Sequence, residues 1–468
     1  RQIEKTYAAR STATNKNSLY DSYIRAIRWA SDRIGDEGII GYVTNGGWID
    51  SNTADGLRKT LAEEFSAIYV YNLRGNMRKP NWREEGGQIF GAGSQATIAI
   101  TFPVKKSGQP GTDTVYYREI GDYLTREEKL AILDESEHAE LDWQTIEPNQ
   151  HGDWLHQRDD TFSDFQAIGD KDEGDGIFAT YSGGLKTNRD AWVYNSSSDV
   201  LRRNVERMID FYNDQASDFA RQTAGMPARD ARRLVEDYID YDPTKFSWNR
   251  ADKTNLARGV QYEARPDAYR TATYRPFSKQ HVYFDARLND MVYQQPRIFP
   301  TVDHTNLGFY ILGLGAQKPF SIFVVDALPD LNLYGSEGGQ YFPRWTYGRT
   351  DEDEDLFTSG GDAGSDQFRR LDNITDATLA DYHCSYGDAV TKDDVFYYVY
   401  GLLHSPDYRE RYAADLRKML PRIPQVASTE DFHTFTAAGR ALAELHIGYE
   451  TVEPYPLTET VTSTAGEP

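Results

Sequence analysis

The spacing of apolar residues predicts the first elements of the chain. A stripe at helical intervals, with Asn17 or Ser18 as its cap and Gly35 at its end, predicts a helix over residues 17–34. The mostly apolar segment 38–44 is typical of a strand buried on both faces of a parallel sheet. It runs into a Thr-Asn-Gly-Gly turn at 44–47, where the backbone can approach a ligand closely. Open α/β sheets bind ligands in such loops, at the carboxyl ends of their strands.

The same periodicities continue as an alternation of helices and strands. They predict a helix at 53–65, a strand at 66–73, a third strand at 96–102, an edge strand at 114–118 and a short helix at 125–134. Because helices and strands alternate, we expect parallel pairing through right-handed crossovers.

The composition changes at about residue 150, after which tyrosine, tryptophan, aspartate and glycine dominate and helical periodicity is rare. Helices are predicted at 198–222, 228–238 and 393–420, the last broken near Ser405-Pro406. Short strands are expected within 268–345, among them 281–284 and 308–312. The change predicts two domains, at 1–150 and 151–468.

Acidic residues dominate the charge of the chain. Its 468 residues include 73 Asp and Glu against 51 Lys and Arg, a net charge of −22. This balance, with arginine more frequent than lysine, suggests a halophilic protein kept soluble in high salt; an ordinary acidic cytoplasmic protein is the alternative. Acidity argues against a nucleic-acid partner, but in high salt long-range charge is screened and local contacts decide.

Other features bound the class of protein. No apolar run reaches the length of a membrane span and there is no secretory signal, so we expect a cytoplasmic protein. Cys384 is the only cysteine, and with His383 it lacks further ligands, so no metal site is expected. The acidic run 351–355 is interpreted as a solvated loop. Since the sequence begins with Arg1, it is interpreted as a fragment or a processed product.

Two groups of cations suggest contacts with DNA, because arginine reads guanine or phosphate through paired hydrogen bonds. The first group lies in the polar loop after the strand 66–73 and comprises Arg74, Arg78, Lys79 and Arg83. The second is interleaved with aromatic residues and comprises Arg270, Arg275, Lys279, His281, Arg287 and Arg297. The alternatives are a solvated loop for the first group and ordinary packing for the second.

Several stretches resemble known enzymes. Asn17-Ser18-Leu19-Tyr20, the segment 43–48 and the loop around Phe90 resemble the second half of amino-directed DNA methyltransferases. Longer stretches resemble the type ISP restriction–modification enzymes, which join nuclease, helicase, methyltransferase and target-recognition parts in one chain. These stretches are 9–28, 44–58, 72–76, 86–100, 274–277, 291–299, 341–344, and 398–424 with its Leu-Pro-Arg-Ile-Pro.

The resemblance implies a reaction and a site. The intact enzyme would transfer a methyl group from S-adenosylmethionine to the exocyclic amine of adenine in double-stranded DNA. Such an enzyme flips the base out of the duplex and holds it by stacking. The loop 86–93 sets glycines on both sides of Ile89-Phe90, so we predict a mobile loop whose Phe90 stacks on the base; a core phenylalanine is the alternative. Tyr20, Asp21, Asn45 and Trp48 are further candidates for the base pocket, with packing or loop capping as the alternatives.

The sequence also departs from the family. It contains no Asn-Pro-Pro-Tyr motif and no glycine-rich cofactor loop before one, and nuclease and helicase segments are missing. No catalytic residue is therefore assigned in this fragment, and most of the cofactor site is expected outside it.

We thus expect an α/β protein with a partial Rossmann-like methyltransferase sheet, followed by a mixed α/β target-recognition domain. The main alternative is a stand-alone DNA-binding specificity module without catalysis. A carbohydrate-binding or hydrolytic protein, suggested only by the 32 Tyr and 8 Trp, is a third class.

Overall fold

A computed structural model describes residues 1–13, 15–79, 81–91, 95–109, 111–137, 141–171, 174–316, 318–350, 367–454 and 456–457. These residues form two compact units. Unit 1 comprises Arg1–Ile168, Gly313–Phe320 and Pro406–Pro424, and unit 2 comprises Gly169–Leu312, Ser321–Ser405 and Gln425–Pro468. The acidic run 351–355 lies outside the described residues. None of the helices in the described ranges has the length and apolar character needed to cross a bilayer.

The α-helices are, in chain order, α1 Ser22–Ser31, α2 Asp55–Glu64, α3 Trp82–Glu85, α4 Arg126–Glu135, α5 Asp190–Val193, α6 Ser198–Gln222, α7 Ala228–Tyr238, α8 Arg250–Ala257, α9 Gln295–Ile298, α10 Asp376–Tyr386, α11 Lys392–Leu402, α12 Pro406–Arg411, α13 Ala413–Lys418 and α14 Thr429–Ile447.

The strands are β1 Gly38–Ile39, β2 Tyr42–Asn45, β3 Ala67–Asn72, β4 Ile98–Lys105, β5 Val115–Glu119, β6 Gln144–Ile146, β7 Gln166–Ala167, β8 Ser182–Gly183, β9 Tyr194–Asn195, β10 Tyr269–Arg275, β11 Ser278–Tyr283, β12 Gly308–Leu312, β13 Ile322–Val325, β14 Leu328–Pro329, β15 Gly339–Pro343, β16 Trp345–Arg349, β17 Phe368–Asp372 and β18 Arg422–Ile423.

The main sheet of unit 1 has the order β1-β4-β3-β5-β6, and β2 also pairs with β4. Its strands β1, β2 and β3 are all antiparallel to β4, whereas β3 and β5 are parallel. Side chains alternate between the two faces of β3: Ile68 and Val70 join a core with α2, and Tyr71 joins a second cluster with Ile98 and Ile120. The smaller sheet of the unit pairs β7 with β18.

The predicted environment of the strand 38–44 is wrong. The segment divides into β1 and β2, and both form an edge of the described sheet, antiparallel to β4. Ile39 and Val43 are 68% and 53% exposed instead of buried on both faces. The expected direct parallel pairing with the strand at 66–73 is also wrong, because β4 lies between β2 and β3. The strand predicted at the edge, β5, is internal because β6 pairs with its far side.

The predicted helix at 17–34 is shorter in the structure. Residues Asn17–Tyr20 form a 3-10 turn, which the amide of Asp21 closes by donating to the Ser18 carbonyl. Asp21 is extended, so α1 begins only at Ser22, and neither Asn17 nor Ser18 caps it. The helices predicted at 53–65, 125–134, 198–222 and 228–238 are confirmed by α2, α4, α6 and α7.

Unit 2 is built on two four-stranded sheets, β14-β10-β11-β9 and β13-β12-β15-β8, and a β16-β17 hairpin. A large core joins both sheets to α6, α7 and α8. Helices α10, α11 and α14 form a second packed group around Tyr382, Tyr398 and Phe432. Helical periodicity is rare after residue 150, yet the described residues there contain more helices than the three that were predicted, and the mixed α/β class is confirmed. The functional division at residue 150 stays a prediction.

Candidate functional site

A cavity of about 470 Å³ opens in unit 1 at the carboxyl ends of β2 and β3. This is the edge of an α/β sheet at which ligands bind. The lining residues are Ala13, Asn15, Gly46, Gly47, Ile49, Asp50, Ser51, Asn52, Thr53, Asn72, Asn76, Lys79, Thr97, Glu119, Leu155, His156, Leu314, Gly315, Arg417 and Lys418. Polar residues outnumber apolar ones in this lining, so directed hydrogen bonds are available to a ligand.

The turn after β2 forms one wall. The Asn45 side-chain oxygen accepts a hydrogen bond from the Gly47 amide at 2.8 Å, which fixes the turn. A Cβ atom on Gly46 would lie 3.1 Å from Thr97 Cγ2 and 3.2 Å from Ala99 Cβ, so the backbone lies closely against β4. The predicted loop therefore lines the cavity with its glycines, and the Asn45 side chain shapes the turn.

Asn72, the last residue of β3, lies at the centre of the polar wall. Its oxygen accepts hydrogen bonds from Thr97 Oγ1 at 2.8 Å and from the Arg74 amide at 3.0 Å. Its Nδ2 donates to the Tyr117 hydroxyl at 2.9 Å and to Glu119 Oε1 at 3.2 Å. The side chain is thus held in one orientation at the mouth of the cavity, as an amide that must align a ligand requires.

A buried ion network supports the opposite wall. Asp153 is 1% exposed and contacts Arg158 Nε at 2.8 Å, Lys418 Nζ at 3.1 Å and Arg58 Nη2 at 3.6 Å. Burial acts to raise the pKa of Asp153, but the Arg158 hydrogen bond and the Lys418 charge outweigh it and hold the pKa well below its usual range. Lys418 also donates to the His156 carbonyl at 2.7 Å, so the network fixes a residue of the cavity lining.

Phe90 lies in the segment between β3 and β4, and both ends of that segment line the cavity through Asn72 and Thr97. Its ring is 59% exposed, whereas the neighbouring Ile89 is buried. The exposure disagrees with a core phenylalanine. It leaves the ring available for stacking, which stays a prediction.

The expectation that the glycines before Phe90 serve mobility is wrong. A Cβ atom on Gly86 would lie 2.2 Å from the Leu124 carbonyl oxygen, and one on Gly87 would lie 2.5 Å from the Arg126 nitrogen. The buried Lys129 ammonium donates to the carbonyls of Leu73, Glu85 and Gly87 at 2.8–2.9 Å. These glycines are therefore required by close packing in a segment that Lys129 fixes. Gly93, also in the predicted loop, lies outside the described residues.

Three other pocket candidates do not line the cavity. Trp48 is 1% exposed in the core of unit 1, with its ring 5.3 Å from that of Trp154. Tyr20 is 43% exposed at the end of the 3-10 turn, and Asp21 follows it on the surface. Their pocket roles stay predictions.

The residues of the first basic group differ in whether acidic side chains pair with them. Arg74 is paired with Glu84, Glu85, Glu119 and Asp122, so its charge is compensated within unit 1.

The other three residues of that group differ in accessibility. Lys79 lines the cavity and contacts Glu85 at 2.6 Å. Arg78 is exposed and donates to Gln95 at 3.3 Å. Arg83 is exposed, with its guanidinium 5.3 Å from the centre of the Trp82 ring. Arg78 and Arg83 are therefore the more accessible cations of this group.

The second basic group lies in unit 2. Arg275 is paired with the buried Asp330 at 3.0 Å, and Lys279 is paired with Asp326 at 2.8 Å. Arg287 and Arg297 are exposed. Arg270 and His281 are half-buried, so Arg287 and Arg297 are the accessible members in this unit. The DNA contacts predicted for both groups remain predictions.

Several residues of the cavity were not predicted from the sequence, among them Asn72, Thr97, Glu119, Asp50 and His156. Asn72 could have been found, because it ends a predicted strand of the same sheet as the Asn45 turn. Asp50 and His156, whose side chains contact at 3.0 Å, are 106 residues apart in the sequence and carry no local signal.

Comparisons with known proteins agree with this architecture. A family model described as the Type ISP C-terminal specificity domain matches residues 176–468. No curated protein matches the sequence. The chain is similar to the solved structure of a nuclease-deletion mutant of the Type ISP restriction–modification enzyme LlaGI in complex with a DNA substrate mimic, with 37% identity and a TM-score of 0.78.

Two further structures are similar. The DrdV–DNA complex is 33% identical with a TM-score of 0.78, and the ATP-dependent Type ISP enzyme LlaBIII bound to DNA is 33% identical with a TM-score of 0.77. The alignments cover 97%, 97% and 98% of this chain but 40%, 42% and 28% of LlaGI, DrdV and LlaBIII. The sequence thus spans less than half of each relative. The chain belongs to the Type ISP restriction–modification family, and its residues 176–468 carry the C-terminal specificity domain of that family.

Proposed function

We propose that this chain recognises a specific sequence in double-stranded DNA as part of a restriction–modification enzyme that methylates adenine at its exocyclic amine. The observation that carries the proposal is the similarity over 97% of the chain to LlaGI, whose structure contains a DNA substrate mimic. The specificity domain at 176–468 would select the site, and unit 1 would contribute to the target-base pocket.

The cavity in unit 1 supports the second part of the proposal. Its volume of about 470 Å³ falls within the usual range for small-ligand sites. An adenine presents both donors and acceptors on its edges; among the lining residues Thr97 and Glu119 can accept hydrogen bonds, and Lys79 and Arg417 can donate them. The ring of Phe90 would stack on the base.

The cofactor S-adenosylmethionine fits this sequence poorly. The chain contains neither an Asn-Pro-Pro-Tyr motif nor a glycine-rich cofactor loop before one. We propose that the groups holding the cofactor belong to the methyltransferase part outside this sequence. The sheet supports such a division, because β1 and β2 lie at an edge of the described sheet, where a further strand could pair. Nuclease and helicase parts would complete the enzyme.

The proposal makes a direct prediction about DNA binding. The purified chain is incubated with a pool of duplexes carrying a random segment, and the bound duplexes are sequenced. One sequence should be enriched over rounds of selection if unit 2 reads base edges. Binding without enrichment would exclude sequence recognition by this chain.

The second candidate is a specificity module without catalysis. The one observation that favours it is that the sequence contains no Asn-Pro-Pro-Tyr motif. Calorimetry with S-adenosylmethionine separates the candidates when the chain is measured with and without the methyltransferase part of a relative. We expect no cofactor binding by the chain alone. Binding, and methyl transfer to the selected duplex, should appear only in the mixture. A mixture that remains inactive would favour the module.

A further inference from the structure

A second cavity, of about 310 Å³, lies within unit 2 between the start of α6 and the hairpin β10–β11. Its polar lining includes Ser198 and Arg202 from the first turns of α6, Arg270 from β10 and His281 from β11. This cavity is separate from the one in unit 1, and it contains two members of the second basic group, Arg270 and His281.

Neither Arg202 nor Arg270 forms an ion pair with a carboxylate in the described part of the chain, although the charges of Asp267 and Asp303 act on Arg270. Arg202 lies with its guanidinium 4.7 Å from the centre of the Tyr269 ring and forms no ion pair with a carboxylate of the described residues. Arg270 donates from Nη2 to the Pro300 carbonyl at 3.1 Å, but its buried Nε has no hydrogen-bond partner in the described part of the chain. Burial lowers the pKa of Arg270, which means that its charge is destabilised where it lies. An anion would offset this cost.

The remaining lining favours an anion in the same way. Asp326 is the one acidic side chain among the described lining residues, and Lys279 already neutralises it at 2.8 Å. Ser198 is the first residue of the 25-residue helix α6, whose first-turn amides have no intrahelical acceptor and whose dipole is positive at this end. Thr271 and Thr305 contribute hydroxyl groups, while the hydroxyl of Thr301 contacts His304 Nδ1 at 2.6 Å.

These groups suit a phosphate better than a carboxylate. The oxygens of a phosphate are arranged tetrahedrally, two of them terminal in a backbone phosphodiester and more in a free phosphate, whereas those of a carboxylate lie in one plane. Arg202, the Nε of Arg270, the hydroxyls and the helix amides are donors that can approach a tetrahedral anion from different directions. We propose that this cavity binds a phosphate group and that, in the enzyme, the phosphate belongs to the DNA backbone. The DNA source rests on the proposed function; the phosphate chemistry does not. A backbone contact of this kind would fix the position of the specificity domain on the duplex without reading sequence.

The phosphate part is tested with inorganic phosphate and the full chain. Binding is measured by calorimetry at constant ionic strength for the wild type, Arg202→Gln, Arg270→Gln and the control Arg203→Gln. Arg203 is the neighbour of Arg202 on α6, is exposed and does not line the cavity. We expect the first two variants to bind at least about tenfold more weakly and the control to bind like the wild type. Circular dichroism melts establish that each variant is folded. If Arg270→Gln does not fold, the test rests on Arg202→Gln and Arg203→Gln, because Arg202 is exposed and its replacement should not affect folding. No binding by the wild type, or equal loss in Arg202→Gln and Arg203→Gln, overturns the proposal.

The DNA part is tested by the salt dependence of duplex binding. Losing one phosphate contact should reduce the slope of log K against log salt concentration by about 0.9 in Arg202→Gln and leave it unchanged in Arg203→Gln. Phosphate binding with unchanged DNA slopes would overturn the DNA source and point to a small phosphorylated ligand. If the wild type binds no DNA, the proposed function and the DNA source fail together, while the phosphate titration still decides the chemistry of the cavity.

Discussion

Asp330, in the specificity domain, has a raised pKa. It is 3% exposed, and burial, with the charge of Asp190, raises its pKa to about 6 despite the ion pair with Arg275. Its contribution to stability should therefore be complete below about pH 4, where the carboxyl is protonated in both states, and should be lost as the pH rises towards 6.

The variant Asp330→Asn tests whether this contribution falls or rises with pH. The free energy of unfolding of the wild type, taken relative to the variant, should fall by roughly 2–3 kcal/mol between pH 4 and pH 7. Urea unfolding across that range measures it, and the titrations of other groups cancel in the difference. A relative stability that rises with pH would show that the Arg275 pair dominates over burial.

Phe90 allows a second test at the residue scale. In an enzyme with its methyltransferase part restored, Phe90→Ala should weaken binding of the flipped adenine by about ten- to a hundredfold, because base–aromatic stacking contributes roughly 1–3 kcal/mol. Its ring is 59% exposed, so the melting temperature should change little. Fluorescence of 2-aminopurine at the target position reports the flipping. Trp29→Ala is the control, since Trp29 is 57% exposed on α1. Equal flipping in both variants would exclude the stacking role.

At the scale of elements, the segment before Phe90 depends on close packing. Gly86 has a φ of +72° and no room for a Cβ atom beside Leu124, whereas Gly91 has a φ of +51° and open space around it in the described structure. Both alanine variants should lose about 1–3 kcal/mol through backbone strain, and Gly86→Ala should lose more because it also displaces Leu124. Urea unfolding of the pair measures the difference. Equal losses would mean that the segment moves easily.

The sequence predicted elements with strong periodicity and failed where packing depends on backbone contact. The helix predicted at 198–222 has the bounds of α6, whose buried Leu201, Val205 and Met208 recur at helical spacing. Helix α14 was missed because its buried positions include Thr436, Gly439 and Ala443 and therefore form no apolar stripe. A Cβ atom on Gly439 would lie 2.0 Å from the Tyr397 carbonyl oxygen, so α11 and α14 approach through glycine. A single sequence does not reveal such a surface.

The pairing of strands could not be predicted from the sequence either. The apolar run at 38–44 correctly indicated strand structure, but periodicity does not say which strand lies beside it. The long β4 enters between β2 and β3 and reverses the pairing that consecutive order suggests. For the candidate site, this means that the Asn45 turn was predictable from its glycines. Thr97 just before β4 and Glu119 at the end of β5, which also line the cavity, were not.

At the scale of the whole molecule, the charge of −22 opposes folding by self-repulsion, while the buried ion network around Asp153 is shielded from solvent ions. Salt should therefore screen the destabilising surface term and leave the buried pairs nearly unchanged. We expect the midpoint of thermal unfolding to rise steadily as the potassium chloride concentration increases from about 0.1 M to about 2 M. In less acidic proteins, the interactions between exposed charges are already screened at lower salt concentrations within this range. Sucrose at equal osmolality is the control, because it is excluded from the protein surface but screens no charge. An equal rise in sucrose would assign the effect to exclusion, and a fall in salt would show that exposed ion pairs outweigh the repulsion among the acidic residues.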